Sequence, residues 1–372
     1  MTDTPRESGP AADEHAKDPE LLRAVEYLEA PDDAEVAEPD ISLRRRVLNW
    51  KTIGSVIFAL ALLALAFRTL GVNLGRTWDL VVNADVALLF VAILAYYLTF
   101  PIRAFRWRYI LSKVGEHVGM RDATEILFIS WFVNCLVPAK LGDLYRAYLL
   151  KGNTGASGSK TVGTIFIERI ADIIVIFILA LVAGYVSFRG AQQAEVSLIF
   201  LIGSFVAIFL IVVVVVLRFW GDRVAGYLPL RFADLWARFH EGSTGALTLR
   251  AMPIIGITTV AIWVLEGARL YFVIQALALP DVDLGISSSI FVALVAALMT
   301  AMPLTPAGIG FVELAIAVAL SFYGVPQDEA AAVALVDRGI SILTVIVIGG
   351  IVYLLSAKVR RAHGVASAGS PG

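Results

Sequence analysis

Long apolar stretches, interrupted by short polar blocks, occupy most of this sequence from residue 52 onward. The stretch from Val196 to Leu217 holds 22 residues without a charge, enough for a helix to cross a hydrocarbon core of about 30 Å. In lipid, only helices and closed barrels satisfy the backbone polar groups, so the long stretches predict helices. The apolar segments are Thr52–Phe67, Val86–Ile102, Ala123–Pro138, Thr161–Phe188, Val196–Leu217, Met252–Leu279, Leu284–Met302, Pro306–Tyr323 and Ala330–Leu355.

Two of these segments, the third and the eighth, are short and adjoin breaks rich in proline and glycine. Proline and glycine stop a helix and allow a tight turn. We predict two hairpins that enter the membrane and turn back, Ala123 to Leu150 around Pro138–Gly142 and Leu284 to Tyr323 around Pro303–Gly310. The alternative is a pair of ordinary helices with a tight loop at each place, which gives the same overall topology.

The distribution of lysine and arginine gives an orientation. If the N-terminus is cytoplasmic, the outside loops carry only Arg68, Arg76 and Arg189, while the inside loops carry many more, including Arg44–Arg46. Cytoplasmic loops of membrane proteins are enriched in these residues. The pattern therefore predicts an all-α polytopic protein of the cell (plasma) membrane, with about six full spans, two re-entrant hairpins and both termini in the cytoplasm.

One polar pattern occurs twice within the apolar sequence. Its copies are Pro138, Gly142, Asp143, Glu168, Arg169 and Pro306, Gly310, Glu313, Asp337, Arg338. The glycine precedes the arginine by 27 residues in the first copy and by 28 in the second. With the two hairpins entering from opposite sides, this predicts an inverted repeat, with repeat one at about 86–188 and repeat two at about 252–355. In such proteins the substrate site lies near the midplane, where the repeats meet.

The first loop has the chemistry of an anion site. Lys140 and Arg146 supply positive charge, and the helix that follows Pro138 directs its N-terminal amides toward the break. Arginine also binds phosphate through two hydrogen bonds. The alternative is a structural turn in which Asp143 and Arg146, three residues apart on one helical face, pair with each other.

The charged residues inside the apolar segments are the other candidates, because ionisable groups in hydrocarbon are costly and mark functional sites by default. Glu168 and Asp172 share one helical face, with Arg169 on another. This triad suits proton relay, binding of a cationic group, or a structural lock, and the sequence leaves these open. Glu313 in the second loop is expected to face Arg338 or Arg269.

From these patterns we predict a substrate site but no catalytic residue, metal site or cofactor. Cys135 is the only cysteine, and none of the four histidines lies in an apolar segment. The candidate substrate-binding residues are Arg106, Asn134, Pro138, Lys140, Gly142, Asp143, Arg146, Glu168, Arg169, Asp172, Glu266, Arg269, Pro306, Gly308, Gly310, Glu313, Asp337 and Arg338.

Composition agrees with a membrane location and divides the chain into regions. The chain is 58% hydrophobic and 17% charged, against about 25% charged residues in soluble domains. The first 40 residues hold 13 acidic and 3 basic residues and no apolar segment typical of a signal peptide. We expect residues 1–43 to be a disordered, acidic cytoplasmic tail, residues 44–357 the membrane domain, and residues 358–372 a short cytoplasmic tail.

The motifs together resemble a known family. The succession Arg103, Arg106-Trp107, Asn134, Pro138, Gly142-Asp143, Arg146, Glu168-Arg169, Asp172, Pro306-Ala-Gly-Ile-Gly310, Glu313 and Asp337-Arg338 resembles the lysylphosphatidylglycerol synthase transmembrane family. That family includes the flippase region of the bacterial multiple peptide resistance factor and proteins linked to dolichol-phosphate glycosylation. It usually has glycine where this chain has Ala307. Its bifunctional members add a C-terminal aminoacyl-transferase domain, which we do not expect here because roughly 17 residues follow the last apolar segment.

The resemblance and the charges favour a transporter over an enzyme. The expected function is movement of a polar or anionic lipid headgroup, or one linked to polyprenyl phosphate, between leaflets. One alternative is an embedded transferase with Asp143 and Glu168 as bases. Another is a membrane partner for a separately encoded transferase. The expected partners are membrane lipids and, in the last case, that enzyme; a nucleic acid is not expected, and the oligomeric state stays open.

Overall fold

The computed structural model describes residues 49–137, 140–188, 194–225, 230–279, 284–300 and 305–360, and within these ranges it contains helices and no strand. The predicted acidic tail and Pro138 lie outside the described residues. The helices are α1 (Trp50–Thr69), α2 (Leu74–Val82), α3 (Val86–Lys113), α4 (Met120–Leu136), α5 (Leu141–Thr154), α6 (Gly158–Ser187), α7 (Ala194–Ala225), α8 (Leu230–Thr244), α9 (Met252–Ala276), α10 (Ile286–Thr300), α11 (Phe311–Ser321), α12 (Gln327–Arg338) and α13 (Thr344–Leu355). A 3₁₀ turn, Pro306–Gly308, precedes α11, and a π-helical turn, Gly339–Leu343, joins α12 to α13.

Five helical stretches in the described part of the chain are long and apolar enough to cross a membrane. They are Thr52–Thr69, Val86–Lys113, Gly203–Gly221, Met252–Ala276 and Gln327–Leu355. An all-α membrane protein is therefore confirmed. The sixth predicted span falls on α6, whose 30 residues extend about 45 Å at 1.5 Å per residue; its crossing stays a prediction.

Polar caps fix where several of these helices begin. The Asp85 carboxylate accepts hydrogen bonds from the amides of Ala87 (2.8 Å) and Leu88 (3.2 Å) at the start of α3. Asn73 does the same for the amides of Gly75 and Arg76 at the start of α2. Such caps satisfy amides that the first helical turn leaves without a partner. These caps mark where a polar loop ends and the helix begins.

Helices α3 and α9 pack against each other along their lengths and form the centre of the molecule. The helix pair α4–α5 packs on one side, against α3 and α6, and the pair α10–α11 packs against α9, α6 and α12. A large apolar core joins α3 and α4 to the second half of the chain and includes Tyr96, Leu127, Leu270 and Val292. The helix pairs occupy the predicted hairpin positions, and this arrangement brings both breaks toward the central helices.

Two polar contacts attach segments near the two ends of the described chain to helices of the bundle. Lys358 donates to Glu125 (2.6 Å) and forms an ion pair with Asp122 (2.8 Å), both on α4. Burial lowers the pKa of Lys358, but these hydrogen bonds outweigh burial and raise its pKa overall. Before α2, the amide of Asn73 donates to Asp328 (2.6 Å) at the start of α12. The segment after α13 is thus attached to α4, and the segment before α2 is attached to α12.

Helix α5 approaches α4 closely at Gly142. The Gly142 amide donates to the side-chain oxygen of Asn134 (2.8 Å), and a Cβ atom at position 142 would overlap the carbonyl oxygen of Ser130. Both obstacles belong to α4, and the carbonyl is backbone that cannot rotate away. This packing requires a residue without a side chain, which is a physical reason for the glycine in the motif.

We expect Gly142→Ala to lower the free energy of unfolding by about 1–3 kcal/mol, because the added methyl group separates α4 from α5. Thermal unfolding of the purified protein in detergent measures this. Gly256→Ala in α9 is the matched control, since a Cβ there meets no atom within 4 Å. Equal melting temperatures for the two variants would contradict the close approach.

Candidate functional site

Buried charged side chains cluster where the central helices α3 and α9 meet α5, α6, α11 and α12. Each is less than 9% exposed, although the surrounding sequence is apolar. They are Arg103, Arg106, Arg146, Glu168, Asp172, Glu266, Arg269, Glu313 and Asp337. A buried charge is tolerated when it is paired and hydrogen-bonded, and all of these side chains form ion pairs.

The first network joins α3 to α6 through Arg106. Its guanidinium donates to Asp172 through two nitrogens (2.6 and 3.2 Å), to Glu168 (3.2 Å) and to the hydroxyl of Thr259 (2.7 Å). An arginine of α3 thus pairs with both acids on the shared face of α6. Arg106 fixes the register of α3 against α6, and Thr259 adds a contact with α9.

The first network also includes both charged residues at the start of α5. Arg146 donates to Glu168 (2.6 Å) and lies over the ring of Trp107, 4.6 Å from its centroid. Arg169 binds Asp143 through two hydrogen bonds of 2.9 and 2.7 Å. The alternative in which Asp143 pairs with Arg146 is wrong, because each instead pairs with a residue on α6. The start of α5 is thereby attached to α6.

The second network joins α9 to α12. Arg269 donates to Asp337 through two nitrogens (2.8 and 3.0 Å) and to Glu266 (2.6 Å). Glu313 accepts from Arg338 (3.2 Å) and from the amide of Gly310 (2.7 Å). Of the two partners expected for Glu313, the structure therefore has Arg338.

Arg338 lies at a backbone irregularity. The π-helical turn begins directly after it, and its guanidinium also donates to the carbonyl of Ala307 in the 3₁₀ turn. Turns of the π type occur frequently at functional sites. The side chain thus links the irregular part of the α12–α13 helix to the break before α11.

In the described part of the chain, one ion pair joins the two central helices and attaches the second network to α3. Arg103 on α3 donates to Glu266 on α9 at 2.9 Å, and both side chains are almost fully buried. Arg103 also lies between two indole rings, 4.8 Å from the centroid of Trp131 and 5.5 Å from that of Trp263. Cation–π contacts of this kind stabilise a desolvated guanidinium.

A cavity of about 360 Å³ lies between the networks, within the size range of small-molecule sites, about 300–1,000 Å³. One part of its wall is charged and is formed by Arg103, Lys140, Arg169, Asp172, Glu266, Arg269, Asp337 and Arg338. Another part is apolar and includes Ile173, Ile176, Leu270, Ala293, Ala296, Val312 and Ile316. The cavity can therefore contact a molecule that has both a charged group and hydrocarbon.

The two helix breaks contribute backbone in the left-handed conformation to this cavity. Lys140, directly before α5, has φ 53° and ψ 36°, and Gly308, before α11, has φ 71°. Counted back from Gly142 and Gly310, the two residues hold the same position in the repeated motif. One break thus presents a lysine where the other presents a glycine.

The predicted site residues fall into two groups in the structure. Those that line the cavity are Asn134, Lys140, Arg169, Asp172, Glu266, Arg269, Gly308, Asp337 and Arg338. Outside its lining are Arg106, Gly142, Asp143, Arg146, Glu168, Pro306, Gly310 and Glu313, most of which pair with or adjoin a lining residue. Binding of a substrate by either group stays a prediction, and Pro138 lies outside the described residues.

Sequence reasoning left several lining residues out of the candidate set. Arg103, Tyr96, Trp131 and Trp263 all line the cavity. The sequence contains one feature that could have added Arg103 to the candidate set: it precedes Arg106 by three residues, as Glu266 precedes Arg269. Tyr96 and Trp263 had no such feature, because one aromatic ring in an apolar helix looks like any other core residue.

Comparison with known proteins gives one family. A family model described as the lysylphosphatidylglycerol synthase TM region matches residues 52–349. A UPF0104 membrane protein of Methanocaldococcus jannaschii is 33% identical over 224 residues, which are 60% of this chain and 94% of that protein. A UPF0104 membrane protein of Methanothermobacter thermautotrophicus is 26% identical over 312 residues, 77% of this chain and 91% of that protein.

A longer relative is also similar. The glycosyltransferase AglD of Haloferax volcanii is 26% identical over 355 residues, which are 86% of this chain but 56% of that protein. Nearly half of that relative thus has no counterpart in the aligned region. Its name describes the whole protein, of which this chain matches a part.

Removing one partner of a buried pair tests the second network. We expect Arg269→Met to lower the free energy of unfolding by about 3–5 kcal/mol, because Asp337 is left charged and unpaired in an apolar interior. The double variant Arg269→Met with Asp337→Leu should lower the free energy of unfolding by less, since no charged Asp337 remains and Glu266 keeps Arg103 as a partner. Denaturation of each purified protein in detergent measures the difference.

The control is Arg68→Met at an exposed position on α1, where a change should stay within about 0.5 kcal/mol. A double variant as unstable as the sum of its two single changes would show that the Arg269–Asp337 contact contributes no coupling energy.

Proposed function

The chain belongs to the lysylphosphatidylglycerol synthase TM-region family, and from this membership and the cavity we propose that it moves lipids between membrane leaflets. The substrate class is a lipid with a polar or anionic headgroup, including one linked to polyprenyl phosphate. The protein acts as a multi-pass protein of the plasma membrane. The observation that carries the proposal is the cavity with a charged wall and an apolar wall at the meeting point of both halves.

The division of the cavity wall suits a lipid in transit. A headgroup crossing the bilayer loses its water, and fixed charges and hydrogen-bond donors replace that water at lower cost than hydrocarbon does. The apolar wall, with Ile173, Leu270 and Val312, accommodates the adjoining chain. A water-soluble ion would use the charged wall alone, so the combination favours a lipid.

An inverted repeat provides the mechanism. In the first half, Arg106 on one long helix binds acids on another, and the hairpin acid Asp143 binds Arg169. In the second half, Arg269 binds Asp337, and the hairpin acid Glu313 binds Arg338. The same relations between helix, hairpin and helix thus occur twice, which supports two related units around one site.

Alternating access follows from such a pair of units. In transporters with inverted repeats, one repeat rocks against the other around a fixed site near the midplane. Here the α4–α5 and α10–α11 pairs act as re-entrant hairpins from opposite sides, and their breaks contribute Lys140 and Gly308 to the cavity. Movement of either hairpin would open that cavity to its own leaflet.

A second candidate function comes from the longer relative. This chain covers 56% of the glycosyltransferase AglD, so in that protein the matching region is joined to further sequence. In this reading the chain serves as the membrane partner of a separately encoded transferase, or itself completes transfer to a lipid-linked acceptor. Co-purification of a soluble transferase with the chain from its native membrane would favour the partner role.

Transport is tested with the purified chain in liposomes that contain a fluorescent lipid. We expect the wild type to speed dithionite quenching of inner-leaflet phosphatidylglycerol. Arg169→Ala should reduce the rate about tenfold or more, because it leaves Asp143 unpaired beside the cavity. Arg169→Lys, which keeps the charge, should retain part of the rate, and Arg68→Met should match the wild type.

Protein-free and protein-containing vesicles that quench equally for every headgroup tried would contradict transport. Circular dichroism and melting temperature in the same detergent show whether the Arg169→Ala protein is folded. A folded, inactive variant places the loss of transport in the cavity rather than in the stability of the fold.

A further inference from the structure

The charges around the cavity do not balance. The two networks and the cavity wall together hold seven cationic and six acidic side chains in the described part of the chain. The cations are Arg103, Arg106, Lys140, Arg146, Arg169, Arg269 and Arg338, and the acids are Asp143, Glu168, Asp172, Glu266, Glu313 and Asp337. Every acid pairs with an arginine, which leaves one positive charge without a carboxylate partner.

That charge belongs to Lys140. Its ammonium forms no ion pair with any residue that the structure describes, although Lys140 lines the cavity and is largely shielded from solvent. The nearby Asp143 already accepts two hydrogen bonds from Arg169. A cation that is largely shielded from solvent and has no carboxylate partner attracts an anion strongly, because no fixed negative charge neutralises it.

The backbone at Lys140 gives no structural reason for a lysine. The residue has φ 53°, a conformation that glycine adopts without the steric cost of a side chain. The matching position in the second break is Gly308, with φ 71°. Glycine would therefore allow this turn to fold at least as well as lysine does. What the lysine adds is its charge.

A second donor lies on the same cavity wall. Asn134 lines the cavity, and its side-chain oxygen accepts the Gly142 amide at 2.8 Å. This bond orients the carboxamide and leaves its two N–H donors without a bond to any described residue. Lys140 and Asn134 together offer donors of the kind that bind phosphate oxygens, whereas the acids that line the cavity are paired with arginines.

We propose that Lys140 selects headgroups of net negative charge, namely phosphate esters of lipids, and that Asn134 donates to the same phosphate. Zwitterionic headgroups are disfavoured, because the cavity without ligand already carries one excess positive charge. This inference rests on the proposed function, for which it names the substrate class. The apolar wall distinguishes a lipid phosphate from free inorganic phosphate.

Binding is measured first, by thermal shift of the purified chain in detergent. The probes are dioctanoyl phosphatidic acid, dioctanoyl phosphatidylcholine and inorganic phosphate. We expect phosphatidic acid to stabilise the wild type and Lys140→Arg, and to bind Lys140→Gly about tenfold more weakly, as expected for loss of one charge-assisted contact. Phosphatidylcholine and inorganic phosphate should give much smaller shifts.

The variants separate recognition from folding. Lys140→Gly should melt at the same temperature as the wild type or higher without ligand, because glycine suits the left-handed backbone; a merely structural lysine would give a lower value. Lys113→Gln, at an exposed lysine outside the cavity, is the control and should keep full affinity. Equal shifts with phosphatidylcholine, full affinity of Lys140→Gly, or equal binding of inorganic phosphate would each overturn the proposal.

Transport in liposomes then distinguishes the two proposals. Wild-type protein should move fluorescent phosphatidic acid about tenfold faster than fluorescent phosphatidylcholine, and Lys140→Gly should lose most of this preference. Equal rates for both lipids would reject selection by Lys140 and leave lipid transport standing. Lysine-dependent binding without movement of any lipid would reject transport and leave headgroup selection standing.

Discussion

Compensation of buried charge is the constraint on which the rest of this structure depends. An arginine or carboxylate inside an apolar helix bundle is tolerated when a partner with good geometry reaches it. Arg106 needs acids on α6, Arg269 needs one on α12, and Arg103 needs Glu266 on the opposite central helix. Dispersion and small residues hold apolar helices together without fixing their register, so the ion pairs determine which helices adjoin and at what height.

The same constraint explains how much could be predicted from the sequence. The acid–arginine pairs Glu168-Arg169 and Asp337-Arg338 stand out because charge is rare in apolar segments, and the breaks stand out because proline and glycine stop helices. For Glu313 the choice of partner could be narrowed to Arg338 or Arg269, and it is Arg338, but the partners of most other charged residues could not be predicted. Asp143 has a plausible partner three residues away in Arg146, yet binds Arg169, because spacing along one helix says nothing about the helix packed against it. The aromatic ring of Trp263 beside Arg103 carries no pattern at all.

The two halves of the chain use the same pairing but differ at the tips of their helix pairs. Lys140 and Gly308 share a left-handed backbone and a place in the cavity, and only one carries charge. Under the proposed inverted repeat, the two breaks are expected to be nearly symmetric in charge, and they are not. The asymmetry places an additional positive charge at the first break, so the proposed lipid would have one preferred orientation in the cavity.

The bridge between Arg103 and Glu266 has a consequence for hydration. In the described part of the chain it is the direct ion pair between the two long central helices, and both of its side chains are almost fully buried. Separating them in hydrocarbon costs far more than separating them in water. If the two central helices separate at this point, water therefore has to enter as the distance between Arg103 and Glu266 increases. Hydration of the cavity and separation of these helices would then occur together.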